Sequence, residues 1–191
     1  MTDDEVETHV ETTIDGERRR IHFQEFWIRH RAEVPVHAVE LVGVEQAKAA
    51  PGVLEAIARA DVVLVPPSNP IVSVGPIIGV KEIREALRAT AAPVVGVSPI
   101  IGGSAVRGMA NQLLSGLGVE VSASGVAALH GSRTSDGILD GWLVDDSDTE
   151  EVPAIEQLGM AVRAVPLWMS DPPKTRKLAE DALQLARELG R

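Results

Sequence analysis

Residues 61–110 read DVVLVPPSNPIVSVGPIIGVKEIREALRATAAPVVGVSPIIGGSAVRGMA, and the fold turns on them. Two β-branched runs, Val62 to Val65 and Val94 to Val97, have the length and composition of buried strands, and each ends in Pro, Ser and Gly. A helical pattern follows each: Val80 to Ala89, with Ile83 and Leu87 on one face, and Ser104 to Ser115, with Val106, Met109, Leu113 and Leu114 apolar. Strand, loop, helix, repeated, predicts an α/β protein whose sheet is mainly parallel. Both Pro/Ser/Gly loops then fall at strand C-termini, the edge where open α/β sheets bind ligands.

Upstream, residues 5–13 alternate in period two, Asp15-Gly16 supplies a turn, and Arg18 to His22 can pair back as a hairpin. Phe23 to Arg31 carries Phe23, Phe26, Trp27 and His30 at helical spacing and reads as a helix facing the core or a partner. Val36 to Val42 reads as a strand and Val53 to Ala60 as a short helix with Leu54 and Ile57 inward. Downstream, Val119 to Val121 is expected as a strand, Ser124-Gly125 opens a short helix ending at His130-Gly131, and residues 131–137 (GSRTSDG) form an exposed loop. Gly141 to Asp145 and Met160 to Val165 are further strands, with a short helix around Ile155 and Leu158 between them. Asp171 caps a last helix with Pro172 at its first position and a stripe of Leu178, Ala182, Leu185, Ala186 and Leu189. The expected organisation is a hairpin-and-helix appendage over residues 1–35 and one compact Rossmann-like α/β unit over 36–191, its mainly parallel sheet flanked by helices.

Composition narrows the function. With 191 residues, 45% of them apolar, the chain is long enough for one sizeable core. No apolar run reaches a membrane span, and MTDDEVETHVETT lacks the basic and apolar regions of a signal peptide, so a cytoplasmic protein is expected. A net charge of −10 argues against a nucleic-acid partner but leaves room for a small anion bound locally. The absence of cysteine excludes disulfides, thiol catalysis and thiolate metal sites.

Chemistry concentrates in the two loops. Pro66, Pro67 and Pro70 make Pro66-Pro67-Ser68-Asn69-Pro70 a rigid extended turn that fixes the Ser68 hydroxyl and Asn69 amide as ligand donors. Ser73, Val74, Gly75, Ile77 and Ile78 offer a row of N–H groups, broken at Pro76, that reads as an anion-binding concavity; the alternative is a well-packed βα turn. In the second loop Ser98 precedes Gly102-Gly103, read as lying just ahead of a helix N-terminus with Ser104 as cap. Free amides there would suit a phosphate, with Arg107 one turn in to add a charge-assisted bond. Neither loop has a Walker or G-x-G-x-x-G pattern. The acidic run Asp145, Asp146, Asp148, Glu150, Glu151 reads as a solvated loop face, with a magnesium site the alternative. The five histidines show no metal-ligand spacing, and His130 reads as a cation at a helix terminus. No nucleophile elbow or triad is readable.

Through PSNPIVSVGPII (67–78) and SPIIGGSAVRG (98–108) the chain resembles the CofD/FbiA family, the 2-phospho-L-lactate transferases of coenzyme F-420 biosynthesis. The similarity extends through MTDDEVET (1–8), HFQEFW (22–27), APGVLEAI (50–57), LGVEVSASGVA (117–127), LDGWLVD (139–145) and MSDP (169–172). The resemblance implies a Rossmann-like enzyme that moves a phospholactyl or phosphoenolpyruvyl group from a guanosine diphosphate-linked donor (lactyl-2-diphospho-5'-guanosine) to the deazaflavin Fo. GMP is released, and Mg²⁺ assists. It also implies that Ser68, Asn69, Pro70, Ser73 and Gly75 hold donor phosphate or guanosine, and that Ser98, Gly102, Gly103, Arg107 and Gly108 line the same cleft. Where Arg107 stands, the family often carries Lys, which keeps the charge and changes its geometry.

Met1-Thr2-Asp3-Asp4 resembles an internal segment of the family. The expectation is therefore that the chain is the donor-binding part of a longer or split enzyme. Catalytic residues and magnesium ligands would then lie largely in an N-terminal portion, and the partner would be a separate N-terminal half or a second copy in a homodimer. Two alternatives stay open: a non-catalytic nucleotide or nucleotide-sugar regulator of the YvcK type, and an inactive fragment that acts as a binding partner.

Overall fold

In the computed structural model, which describes residues 1–190, the two strands of residues 61–110 pair in parallel as the sequence predicts. The chain runs β1 (Glu7–Ile14), β2 (Glu17–His22), a π-helical turn (Glu25–Arg29), β3 (Val36–Val42), α1 (Val53–Arg59) and β4 (Val63–Val65). A second π-helical turn (Pro70–Val74) leads into α2 (Gly75–Gly79), α3 (Lys81–Ala89), β5 (Val94–Val97), β6 (Ile100–Ile101), β7 (Ser104–Ala105), α4 (Ala110–Gly116) and α5 (Ala123–His130). Last come β8 (Gly141–Val144), a 3₁₀ segment (Asp146–Glu151), α6 (Val152–Gln157), β9 (Ala161–Ala164) and α7 (Pro172–Glu188).

The main sheet has the order β4-β5-β8-β9, all parallel. Side chains alternate between its faces, as the two-residue period requires. Val95, Val97 and Leu143 pack under the α7 stripe of Leu178, Ala182 and Leu185. Val94, Trp142 and Val144 face Ile83 and Leu87 of α3 and Val126 and Ala127 of α5. Gly96 lies opposite Trp142 in the register. A Cβ there would sit 2.4 Å from the indole, so glycine is what lets the largest buried side chain cross the neighbouring strand.

Several expectations change. Val36–Val42 does not join the parallel sheet: it pairs antiparallel with β1, giving a second sheet β2-β1-β3. Period-two alternation reveals a strand without revealing its partner. The hairpin, the 25–29 turn and β3 share a core of Val10, Ile21, Phe26 and Val36 that packs on Met109 and Leu113. β4 is an edge strand rather than a buried one, and Leu64 is exposed. The helix expected over 23–31 is present over residues 23–29, with 25–29 π-helical, and it buries Phe26 while leaving Trp27 and Ile28 exposed. Val53 and Ile57, not Leu54, pack from α1 onto the core. Val119 to Val121 forms no strand; the Val119 N–H instead donates to Leu114 O at the end of α4.

The 131–137 loop exposes Thr134, Ser135 and Asp136 as expected, but Arg133 turns inward. Arg133 is only 4% exposed and forms a buried ion pair with Asp140. Its guanidinium also donates to the carbonyls of Leu87, Thr90 (2.7 Å) and Ala92. The Asp140 carboxylate in turn accepts from Val94 N–H at 2.9 Å. This cluster ties the end of α3 and the start of β5 to the start of β8. Nor is His130 a surface cation: it is 3% exposed and contacts the Trp142 ring edge-on. Burial, helped by the Arg84 charge, lowers its pKa to about 4.

Two outcomes follow from this packing. Arg133→Met removes the buried guanidinium from Asp140 and from three backbone carbonyls, which costs about 3–5 kcal/mol; thermal unfolding should show Tm falling by roughly 10 °C. Acid titration tests His130. Between its ordinary pKa of about 6.5 and its folded value of about 4, the unfolded chain binds a proton that the folded chain refuses, so stability falls as pH falls through that window. The loss is on the order of 3 kcal/mol, and His130→Gln should flatten this limb in urea melts at pH 7.5 and 4.5.

Candidate ligand-binding cavity

The strands β4, β5, β8 and β9 end at one edge of the sheet, and a cavity of about 710 Å³ opens there. That volume is within the range of small-molecule sites, about 300–1,000 Å³. The segment after β4 contributes Pro67, Ser68, Asn69 and Ser73; the loop after β5 contributes Ser98, Pro99, Ile101, Ala105, Val106 and Arg107. Ala110 at the start of α4 and the segment Leu167, Trp168, Met169 and Ser170 after β9 complete the wall.

Of the residues singled out from the sequence, Ser68, Asn69, Ser73, Ser98 and Arg107 therefore line one cavity. Pro70, Gly75, Gly102, Gly103 and Gly108 are not among its lining residues. The local geometry explains the division. Asn69 caps the π-helical turn, its Oδ1 accepting from Ile71 N–H (2.9 Å) and Val72 N–H (3.1 Å), which leaves the amide nitrogen available to a ligand. Pro70 is buried as the first residue of that turn.

The expected row of free amides from Ser73 onward is absent. Ser73 and Val74 N–H donate to Asn69 O and Gly75 N–H to Pro70 O, so the stretch is helical. The concavity reading fails because the chain's own carbonyls satisfy those donors. What remains toward the cavity is side-chain chemistry: the exposed Ser68 and Ser73 and the half-buried Asn69.

The second loop also departs from its expected form. Gly102 and Gly103, at φ of +59° and +72°, make the tip of the β6–β7 hairpin, the turn type that calls for consecutive left-handed residues. Ser104 lies in β7 and caps no helix; α4 begins only at Ala110. Gly102 N–H does not await an anion either, because both carboxylate oxygens of Asp148 accept it, at 2.9 and 3.1 Å. Ser98 is 1% exposed, and its hydroxyl is committed to both backbone groups of Ile100. Ser98 thus shapes the loop, and Arg107 carries its exposed charge.

The acidic run is neither a solvated face throughout nor a magnesium site. Asp145 is buried; its Oδ2 accepts from Leu167 N–H at 2.9 Å, and its Oδ1 accepts from the Ser147 N–H and hydroxyl. Burial works to raise the Asp145 pKa, but these hydrogen bonds outweigh it and hold the group below the ordinary carboxylate value. Asp148 is shifted the other way, raised by burial and by its acidic neighbours despite the Gly102 N–H. Both carboxylates are occupied by backbone donors, and no group of three or more acidic or histidine side chains could hold a metal ion among the described residues. The residues present do not fit a magnesium ion.

Electrically the cavity is simple. Arg107 is the one charged side chain among its lining residues, and it makes no ion pair among the described residues. An unpaired guanidinium beside three hydrogen-bonding side chains suits an anionic group such as a phosphate. The 167–170 wall escaped sequence reasoning. Its signal was positional: these residues follow the last parallel strand and so return to the same edge.

The parallel sheet flanked by helices defines a Rossmann-like α/β protein. Residues 1–167 match the family described as 2-phospho-L-lactate transferase CofD, and the chain belongs to that family. It is 55% identical over 189 residues to the phosphoenolpyruvate transferase of Streptomyces coelicolor, covering 99% of this chain and 58% of that protein. The phosphoenolpyruvate transferase of Mycolicibacterium smegmatis is 50% identical over 187 residues, covering 97% and 56% respectively. The chain therefore spans a little over half the length of these curated relatives. A crystal structure of the Bacillus halodurans protein BH3568, of the UPF0052 family, superposes with a TM-score of 0.63 at 21% identity, covering 95% of this chain and 60% of that one. That likeness is one of fold. No helix among the described residues is long and apolar enough to cross a membrane.

The carboxylate latches are open to test. Asp148→Ala removes the acceptor of Gly102 N–H and should cost about 1 kcal/mol. Hydrogen exchange should show the Gly102 amide exchanging several-fold faster, while Asp148→Asn, which keeps one acceptor oxygen, restores most of its protection.

Proposed function

We propose that this chain is the donor-binding part of a transferase of coenzyme F-420 biosynthesis. It moves a phosphoenolpyruvyl or 2-phospholactyl group from a guanosine diphosphate-linked donor to the deazaflavin Fo. The observation that carries this reading is the cavity itself: an unpaired Arg107 with Ser68, Asn69 and Ser73 at the sheet's C-terminal edge, in a chain of the CofD family. The names of the relatives favour the phosphoenolpyruvyl form of the donor.

In the proposed reaction the terminal ribityl hydroxyl oxygen of Fo attacks the phosphorus that bears the three-carbon acid. A new P–O bond forms, the bond to the bridging oxygen breaks, and GMP leaves with that oxygen. The hydroxyl proton passes to a base that this chain's cavity does not supply, because no carboxylate or histidine is among its lining residues. The part of this chain is to bind and orient: Arg107 offsets the charge of the diphosphate, and the Ser68, Asn69 and Ser73 side chains fix its position. A magnesium ion, the cofactor that the family resemblance implies, would take its ligands from elsewhere, as would the groups that complete the acceptor site. A separate N-terminal half or a second copy would fit that role.

Calorimetric titration of the chain with GDP tests the reading. Binding in the micromolar range is expected, with Arg107→Gln weakening it at least tenfold, the scale of a lost charge-assisted hydrogen bond. A chain that binds UDP-sugars but not GDP is instead a nucleotide-sugar regulator.

A further inference from the structure

The cavity's lining also has an apolar part, apart from the polar side chains assigned above to the donor. Trp168 is 54% exposed and Met169 51% exposed, and both line the cavity together with Val106, 41% exposed, from the loop after β5. Large apolar side chains left in water are unfavourable by themselves, and these three face one cavity rather than being scattered.

Their support is rigid. Leu167, next to Trp168, is 4% exposed within the α7-side core, and its N–H is held by the buried Asp145. On the other flank, Asp171 caps α7 through Lys174 N–H at 2.9 Å. The backbone of Trp168 and Met169 is thus anchored at both ends while their side chains stay free. A preorganised Trp face with a thioether beside it is a stacking surface for a planar ring.

We infer that Trp168, supported by Met169 and Val106, is a binding residue for a planar heteroaromatic ring. This deepens the functional reading above and rests on it. Two rings share that chemistry, the guanine of the donor and the tricyclic ring of the acceptor, and one set of titrations separates them. The other two indoles are distinguishable: Trp142 is 1% exposed, and Trp27 is not among the residues lining the cavity.

The experiment titrates GDP, riboflavin (as a tricyclic ring probe) and inorganic pyrophosphate against the unmodified chain, Trp168→Ala and Trp168→Phe, following affinity and tryptophan fluorescence in a Trp27→Phe background. Trp168→Ala should weaken at least one ring-bearing probe fivefold or more, the scale of a lost aromatic stack, and abolish its fluorescence quenching. Pyrophosphate affinity and Tm should stay unchanged, and Trp168→Phe should restore most of the binding. Loss for GDP alone assigns the wall to the base, and loss for riboflavin alone assigns it to the acceptor ring. If GDP and riboflavin both bind Trp168→Ala as tightly as the unmodified chain, the ring site is wrong while the functional reading stands. If GDP does not bind the unmodified chain, the functional reading falls.

Discussion

The sheet depends on two buried carboxylates that bracket β8, one of its two inner strands. Asp140 stands immediately before β8 and Asp145 immediately after it. Asp140 takes the first N–H of β5 and pairs with Arg133, whose guanidinium reaches three carbonyls around the end of α3. Asp145 takes Leu167 N–H and so sets where the chain goes after β9. A buried ion pair adds little net stability over an apolar replacement, yet losing one partner is expensive. The consequence here is positional: both ends of the parallel sheet are locked to specific backbone atoms.

That locking gives the cavity its character. Its floor is made of loops whose amides are already satisfied by Asn69, Asp145, Asp148 and Ser98. The groups left for a ligand are therefore side chains on a fixed frame, which limits the entropy lost on binding. In a chain of net charge −10, a single unpaired arginine at the cavity still provides a local attraction for an anion, because screening confines the effect of distant charges. Trp168 and Met169 give the same cavity an apolar side. In the proposed reading, the charge and the aromatic face of one cavity serve a ligand that carries both a phosphate and a ring.

Much of this was legible in the sequence. The two strands of residues 61–110 and the helix between them, the Asp15-Gly16 turn and the α7 stripe capped by Asp171 depend on neighbours within a few residues and are present in the structure, whereas the helix expected from Ser104 begins only at Ala110 after a short hairpin. Ser68, Asn69, Ser73, Ser98 and Arg107 could be singled out because a strand end followed by Pro, Ser and Gly locates the ligand edge of a parallel sheet. The family resemblance carried by the same stretch agrees with the family match over residues 1–167.

What the sequence could not determine was which acceptor each backbone donor finds. Gly102 N–H looked free for a phosphate, yet its acceptor lies 46 residues away in Asp148. Arg133 and Asp145 looked like solvated loop charges, and Trp168 carried no motif of its own. Val36–Val42 showed its two-residue period but not the antiparallel partner that claims it. Periodicity, turn chemistry and capping act over a few residues and are written locally. Burial, carboxylate partners and the walls of a cavity arise where distant segments meet, so only the tertiary structure decided them.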